Sequence, residues 1–356
     1  MTNYSVYKSQ KSQTKLILFI FIALCTILLC LFFYALNMGE YNFANNYFAS
    51  IKTISKIIIA KICNYKLEDI PQTAQIVLWE IRLPRILLAI LIGISLSVAG
   101  AVYQACFRNP LVEPYLLGVS SGAAFGAALA IILPSIFLQS QLSAFIFAII
   151  AVFLSYSLAT GRGRTSPLHL ILSGIIVGAV FTALVSILKY IAEDAELREI
   201  TFWIMGGFYY AHWDDVLLSF CVTLPSLCIL IALGWKLNVL SLGEDEAMSL
   251  GINPQYTRLL FLSLATLIAS IAVSQVGIIA WVGLMIPHAC RMLVGSDNRY
   301  LMASSALMGA IYMLICDTLA RNLTGAEIPI GIISSILGAP YLIYLLRSKG
   351  RTMHNA

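Results

Sequence analysis

The chain has 356 residues, 60% hydrophobic and 11% charged, with a formal net charge of +5 and a mean hydropathy of +0.89. That composition excludes a soluble globular protein, and no nucleic-acid partner is expected. What it fits is a chain that crosses a lipid bilayer repeatedly.

In chain order, residues 16–37 form the first apolar run. It exceeds the apolar region of a signal peptide and no small-residue cleavage site follows, so it reads as an uncleaved anchor. Residues 38–74, rich in Asn, Lys, Ile and Tyr, predict an external loop holding a membrane-surface helix. A second run, 82–106, leads into the proline-broken stretch RNPLVEPYLLGVSSGAAFG at 108–126. The third, 114–133, carries Gly118, Gly122 and Gly126 at helical spacing, which places three small residues on one face for close helix packing. Runs at 142–160, 168–190 and 213–234 follow, with Gly174 and Gly178 repeating the device.

The segment 236–257 is too polar to span. It predicts a short helix, Glu244 to Leu250, closed by Gly251 and Asn253-Pro254. Either it is a surface helix that meets a cytoplasmic partner or it is an ordinary solvated connector. The apolar stretch from Leu259 to Val294 would measure about 54 Å as one helix, against a hydrocarbon core of about 30 Å. It must be two helices, cornered at Ser274-Gln275-Val276-Gly277. Runs at 301–320 and 330–347 complete ten expected spans and an all-α polytopic membrane fold.

Ten spans put both termini on one side. Cytoplasmic termini place 13 of the 22 Lys and Arg residues inside, Lys8, Lys11, Arg108, Arg162, Arg164, Arg291, Arg299, Arg347, Lys349 and Arg351 among them. The short loops then obey the positive-inside rule.

Charges near span ends need a reason to be there. Arg82 and Arg85 read either as snorkelling anchors or as docking points on the outer face. Arg321 and Glu327 either pair with each other or offer charge to an arriving partner, and Asp317 stands four residues before Arg321, at ion-pair spacing. Enzyme chemistry finds little support. There is no GxxxxGK[ST] phosphate loop, no HExxH and no GxSxG, and the four histidines (His169, His212, His288, His354) are scattered. His288 reads as a hydrogen-bonded structural residue. The cysteines fall mostly within apolar runs without metal-ligand spacing and read as small buried hydrophobes, so no metal or cofactor is expected in this chain. Spans poor in carboxylates also weaken the case for a proton-driven carrier.

Six separated motifs carry a resemblance: RLPR (82–85), AGAVYQACFRNPLVEPYLLGVSSGAAFG (99–126), LGEDEAMSLGI (242–252), GIIAWVGLMIPHACRMLVGSDNRY (277–300), DTLAR (317–321) and EIPIGIISSILGAPYLIYLL (327–346). Across about 76–348 the chain resembles the FecCD-type permeases of ATP-binding-cassette importers for iron chelates and vitamin B12. The resemblance implies a type II importer permease fold with ten helices and a second permease subunit, identical or different. It also implies two cytoplasmic ATPase subunits that bind the ATP and magnesium, and an external substrate-binding protein. It divides the chain into an N-terminal tail, first span and loop (1–75), a permease core (76–348) with a coupling segment (236–257), and a tail (349–356).

By resemblance, Arg82, Arg85 and Arg321 receive acidic residues of the binding protein. Leu242, Gly243, Glu244, Asp245, Glu246, Ala247, Leu250 and Gly251 form the element seated in the ATPase. Arg108, Asn109 and Pro110 break and cap the second span near the cytoplasmic mouth of the pathway, with Asn109 serving freed backbone groups. Gly118, Gly122 and Gly126 allow neighbouring helices to slide. Val112 and Asn298 depart from the family's frequent alanine and histidine. The expected function is import of an iron chelate, a ferric siderophore first and haem or cobalamin next, across a bacterial inner membrane. An ATP-independent carrier and a non-transporting scaffold are the other classes.

Overall fold

The structure, a computed structural model, describes residues 2–353 apart from 40, 42, 44–46, 66, 68, 137–138 and 161–166, with side chains from 15 to 343 except 47 and 48. Lys8, Lys11, Arg162, Arg164, Arg347, Lys349 and Arg351, which enter the orientation argument, and most of the 349–356 tail lie outside the described side chains.

α1 (Thr2–Asn37), α2 (Tyr47–Ile62), α3 (Gln72–Ile76), a π-helical turn (Val77–Arg82) and α4 (Leu83–Phe107) come first. A 3-10 turn (Pro114–Leu117) opens α5 (Val119–Ile132), followed by α6 (Ser140–Ala159), α7 (Pro167–Ile191), α8 (Asp194–Met205) and α9 (Trp213–Ala232). Two short helices, α10 (Gly234–Leu242) and α11 (Glu244–Ser249), form an elbow before α12 (Pro254–Val276), α13 (Val282–Val294), α14 (Asn298–Asn322) and α15 (Ile330–Met353). The described residues contain no strand.

Among the described residues, seven helices are long and apolar enough to cross a membrane, and three shorter apolar helices, Val119–Ile132, Val282–Val294 and Ile330–Ile343, supply the remaining expected runs. The fold is therefore all-α and polytopic, as expected, with differences in detail. The second helix starts at Gln72 rather than 82, because the π turn carries it outward without a break. The loop expected to be external holds α2, whose Ile54, Ile57 and Ala60 are buried. The polar segment at 236–257 contains two helices rather than one, α10 adding the leading arm of the elbow.

α4 is the axle of the bundle and packs on α14, α12, α13 and α9. Lipid gives helices no hydrophobic reason to associate, so contact depends on backbones coming close. A Cβ on Gly93 would sit 2.7 Å from the Gly309 carbonyl carbon of α14, and one on Gly100 2.5 Å from the Gly283 carbonyl carbon of α13. α1, by contrast, buries little of its apolar stretch, as a helix bordering lipid would. The cysteines divide: Cys106, Cys290 and Cys316 are buried, whereas Cys25, Cys30, Cys221 and Cys228 lie within apolar helices but on exposed faces. The expectation of burial fails for those four because an apolar face in a membrane need not face protein.

Gly118 is not inside the helix that carries Gly122 and Gly126. It sits before α5 at φ 83, in the left-handed region that joins the 3-10 turn to the helix. Gly122 and Gly126 do pack closely on α6: a Cβ on Gly122 would lie 2.7 Å from Ala151 Cβ, and one on Gly126 2.7 Å from the Ser143 carbonyl carbon. The α7 pair is likewise unequal. A Cβ on Gly174 would meet Leu117 Cα at 2.9 Å, whereas one on Gly178 meets only Ser121 Oγ at 3.5 Å. Gly174→Ala is predicted to destabilise the purified chain by about 1–3 kcal/mol through overpacking, while Gly178→Ala stays within about 0.5 kcal/mol of wild type. Thermal unfolding in detergent measures both, and equal losses would refute the packing assignment.

Candidate functional site

Three places on the bundle carry polar chemistry. At the end where α4 begins, Asp317 of α14 is completely buried between two guanidiniums. Arg85 Nε donates to its Oδ1 at 2.8 Å, and Arg321 Nε lies 3.1 Å from its Oδ2. Arg85 Nη1 also donates to both Glu327 oxygens at 2.8 Å. The expected i,i+4 pair of Asp317 and Arg321 is present, but Glu327 pairs with Arg85 and not with Arg321. Arg85 and Arg321 side chains are only 8% and 9% exposed, and Glu327, at 40%, is the open edge of the group.

Arg82 lies apart from that group. Its guanidinium donates to the carbonyls of Leu36 at 2.7 Å, Asn37 at 3.3 Å and Tyr41 at 2.7 Å, and it stacks 4.9 Å from the Phe43 ring centroid. Leu36 and Asn37 close α1, so a cation satisfies orphan carbonyls at the negative end of that helix. The docking arginines expected from the resemblance are thus all turned inward. Arg82 serves as a helix cap, and Arg85 and Arg321 neutralise a buried carboxylate.

The second place is the gap between α12 and α13. The corner expected at 274–277 is found there: α12 ends at Val276, Gly277 takes φ 74, and four residues pass before α13 starts. Freed backbone groups find partners in the protein. The Val276 carbonyl accepts from the Gly207 N–H at 2.8 Å, and the Ile279 carbonyl from the Tyr115 hydroxyl at 2.8 Å. Trp281 is held at φ 75, and its N–H bonds to Glu113. Three chain segments meet here on glycines. A Cβ on Gly206 would lie 2.6 Å from the Ile278 oxygen, one on Gly331 3.1 Å from the same atom, and one on Gly277 3.0 Å from Gly206 Cα. Beside this junction opens a cavity of about 440 Å³ lined by Gln141, Arg198, Trp203, Phe208, Tyr209 and Gln275, among others.

The third place is the elbow, at the opposite end of α12. Gly243 and Gly251 bracket α11, whose Ala247 is buried while Glu244, Asp245, Glu246, Met248 and Leu250 are exposed, as is Leu242 at the end of α10. Asn253 caps α12 through its Oδ1, accepting from the N–H groups of Gln255 and Tyr256. Arg258, buried in α12, holds Glu244 at 2.6 Å. Asn238 of α10 donates to Asp297 at 2.7 Å and accepts from the Asn298 amide at 2.8 Å, so Asn298 has a role of its own where the family favours histidine.

At the same end α4 closes with Arg108 at φ 50, and Asn109 Oδ1 accepts from the Leu111 N–H at 3.0 Å, as expected of a residue serving freed backbone. Val112 is buried without difficulty. Gln104 was missed by sequence reading. Pro287 has no N–H for the Gly283 carbonyl four residues earlier, and Gln104 Nε2 donates there at 3.3 Å and to the Leu284 carbonyl at 3.2 Å. The sequence signal was a lone amide in an apolar helix. His288 lines a cavity nearby.

Comparison with known proteins agrees with this geometry. The FecCD transport family model matches residues 42–348, starting upstream of the first motif and so taking in α2. The cobalamin import permease of Halobacterium salinarum is 42% identical over 79% of this chain and 76% of the relative. The molybdate import permease of Haemophilus influenzae is 39% identical over 89% and 92%, and the hemin transport permease of Yersinia pestis 39% identical over 75% and 82%. A solved structure described as an inward-facing metal-chelate type ABC transporter superposes with a TM-score of 0.80 at 37% identity, covering 92% of this chain and 99% of that one.

Two outcomes follow from the polar groups. Asp317→Asn leaves the buried Arg321 guanidinium without a carboxylate and Arg85 with Glu327 alone and is predicted to cost about 3–5 kcal/mol, whereas Glu327→Gln at the exposed edge costs about 1 kcal/mol or less; comparable losses in thermal unfolding would disprove the burial argument. The Arg299 guanidinium, opposed by burial and helped by Asn238, holds the Asp297 carboxyl down to about 2. Since an unfolded aspartate titrates near 3.9, this contribution is complete above about pH 5 and fades as pH falls towards 2. Limited proteolysis of the elbow should therefore be equal at pH 5.5 and 8, and Asp297→Asn should speed cleavage equally at both.

Proposed function

The chain belongs to the FecCD transport family, and we propose that it carries an iron chelate, a ferric siderophore first, across a bacterial cytoplasmic membrane by alternating access. It is an ABC importer permease and a multi-pass membrane protein. What supports an ATP-driven mechanism most directly is the elbow. α11 turns exposed Leu242, Met248 and Leu250 outward while Arg258–Glu244 and buried Ala247 fix it to α12. Exposed apolar side chains on a rigid mount suit a protein partner better than a solvated connector. In this reading two ATPase subunits grip the elbow and bind the ATP and magnesium. The termini then face the cytoplasm, a second permease subunit completes the pathway, and a binding protein delivers cargo at the Arg85 end.

The choice of an organic chelate draws on the cavity beside the interrupted span. Phe202, Trp203, Phe208, Tyr209 and Tyr210 line it with few charges, a surface suited to ring-bearing ligands more than to a bare oxyanion such as the one the Haemophilus relative is named for. Relatives named for iron chelatin, hemin and cobalamin keep haem and cobalamin as second readings. For docking, Glu327 is the carboxylate that an acidic residue of the binding protein would replace on Arg85, with Arg321 behind it; Arg82 supports the rim through α1.

The test is co-expression with the neighbouring ATPase and binding protein, reconstitution in liposomes, and ATP hydrolysis measured with ferric-siderophore, haem and cobalamin loads. Ferric siderophore is expected to give the largest stimulation. Met248→Asp with Leu250→Asp should abolish co-purification of the ATPase and leave the permease's unfolding temperature unchanged. Uptake that persists without any ATPase would replace this reading with the carrier.

A further inference from the structure

We propose that the cavity at the elbow end, where α4 stops and α13 turns into α14, binds a phosphate-bearing anion. It measures about 290 Å³, and Arg108, Asn109, Arg291, Ser241, Ser296 and Asn298 are among its lining residues. Two arginines line it and no carboxylate does. Elsewhere Arg85, Arg258, Arg299 and Arg321 each meet an acid, and Arg82 meets three backbone carbonyls. Here Arg291 donates to the neutral Oε1 of Gln104 at 3.0 Å, and among the described residues Arg108 makes no ion pair. Two positive charges sharing a cavity repel each other unless something negative lies between them.

Backbone conformation points the same way. Arg108 occupies the left-handed region at φ 50 immediately after α4, a position that glycine usually takes because a Cβ is penalised there. An arginine in that place accepts the strain and gains a guanidinium at the rim of the cavity. The remaining donors suit an oxyanion: the Asn109 amide, whose oxygen is already used by Leu111, and the hydroxyl of Ser296; the Ser241 hydroxyl donates to the Asn238 carbonyl at 2.7 Å. Planar guanidinium forks match phosphate oxygens in pairs.

Two sources share this chemistry, an anionic phospholipid headgroup and free phosphate. The cavity sits at the ends of membrane-crossing helices, where headgroups lie. Leu111, Met292 and Leu293, neighbours in sequence of lining residues, are exposed beside it, an apolar border that an acyl chain would cover. The inference is independent of which cargo the permease carries.

The test uses the full-length chain in detergent, its unfolding temperature followed during titration with phosphatidylglycerol, phosphatidylcholine or inorganic phosphate at ionic strength matched with chloride. A saturable rise with phosphatidylglycerol beyond phosphatidylcholine, lost in Arg108→Gln and in Arg291→Gln, identifies the site as a lipid headgroup site. A rise with phosphate over chloride, lost in the same variants, identifies it as a site for the free ion. No selective rise with either, or a rise that persists in both variants, overturns the proposal. Should Arg291→Gln fail to fold through loss of its Gln104 bond, exposed Arg108→Gln decides alone.

Discussion

Backbone that leaves helical geometry at membrane depth has no water to turn to, and each unsatisfied N–H or C=O costs several kcal/mol. Two interruptions among the described residues, at 108–118 and at 277–281, service one another. Tyr115, from the first, donates its hydroxyl to the Ile279 carbonyl of the second, and Glu113 takes the Trp281 N–H. The Gly206–Gly207 corner and the start of α15 close the rest, with the Gly206 carbonyl accepting from the Ile330 N–H at 2.9 Å. Irregular backbone in the bundle is therefore tied to other irregular backbone, and the glycines at 206, 277 and 331 exist because three main chains must come within reach at once.

Charge follows the same economy. A buried carboxylate is tolerable only with partners, and Asp317 has two guanidiniums. A helix ending at the bundle's rim needs its carbonyls satisfied, and Arg82 donates to two of them, Leu36 and Asn37, and to Tyr41 just beyond the helix. The π turn makes this possible: the wider turn at Val77–Arg82 lets one continuous helix present Arg82 to α1 and Arg85 to α14. Arginines that look like surface features in sequence are therefore part of the framework, and Glu327 alone leaves the group open to solvent.

Much of this was legible beforehand and some was not, for definite reasons. The ten apolar runs, the corner at Gly277, the Gly251–Asn253–Pro254 stop and the Asn109 cap rest on length, turn chemistry and capping, which act over a few residues and are written locally. The burial of Arg82, Arg85 and Arg321 was not legible, because their partners stand 46 and 232 residues away for Arg82–Leu36 and Arg85–Asp317, and a sequence gives no such distances. Gly118 was misplaced because glycine at helical spacing looks the same inside a helix as one residue before it. Gln104 escaped notice because its task, replacing a donor that Pro287 lacks, exists only once α4 and α13 touch.

The two ends of the molecule meet through one element. α12 begins at the elbow and stops at the second break, 23 residues later, a rod of about 35 Å. Its first turns are held to α11 by Arg258–Glu244 and capped by Asn253; its last residue is tied to the α8 corner through Val276 and Gly207. A packed helix transmits displacement without absorbing it, whereas the stretch after Gly277 is held by bonds to other segments rather than by helical bonds of its own. Under the proposed function, a push at the elbow would arrive where helical bonding stops. The aromatic cavity borders that place, with Gln275 and Val276 of α12 in its wall, so the helix that receives the push also shapes the space beside it.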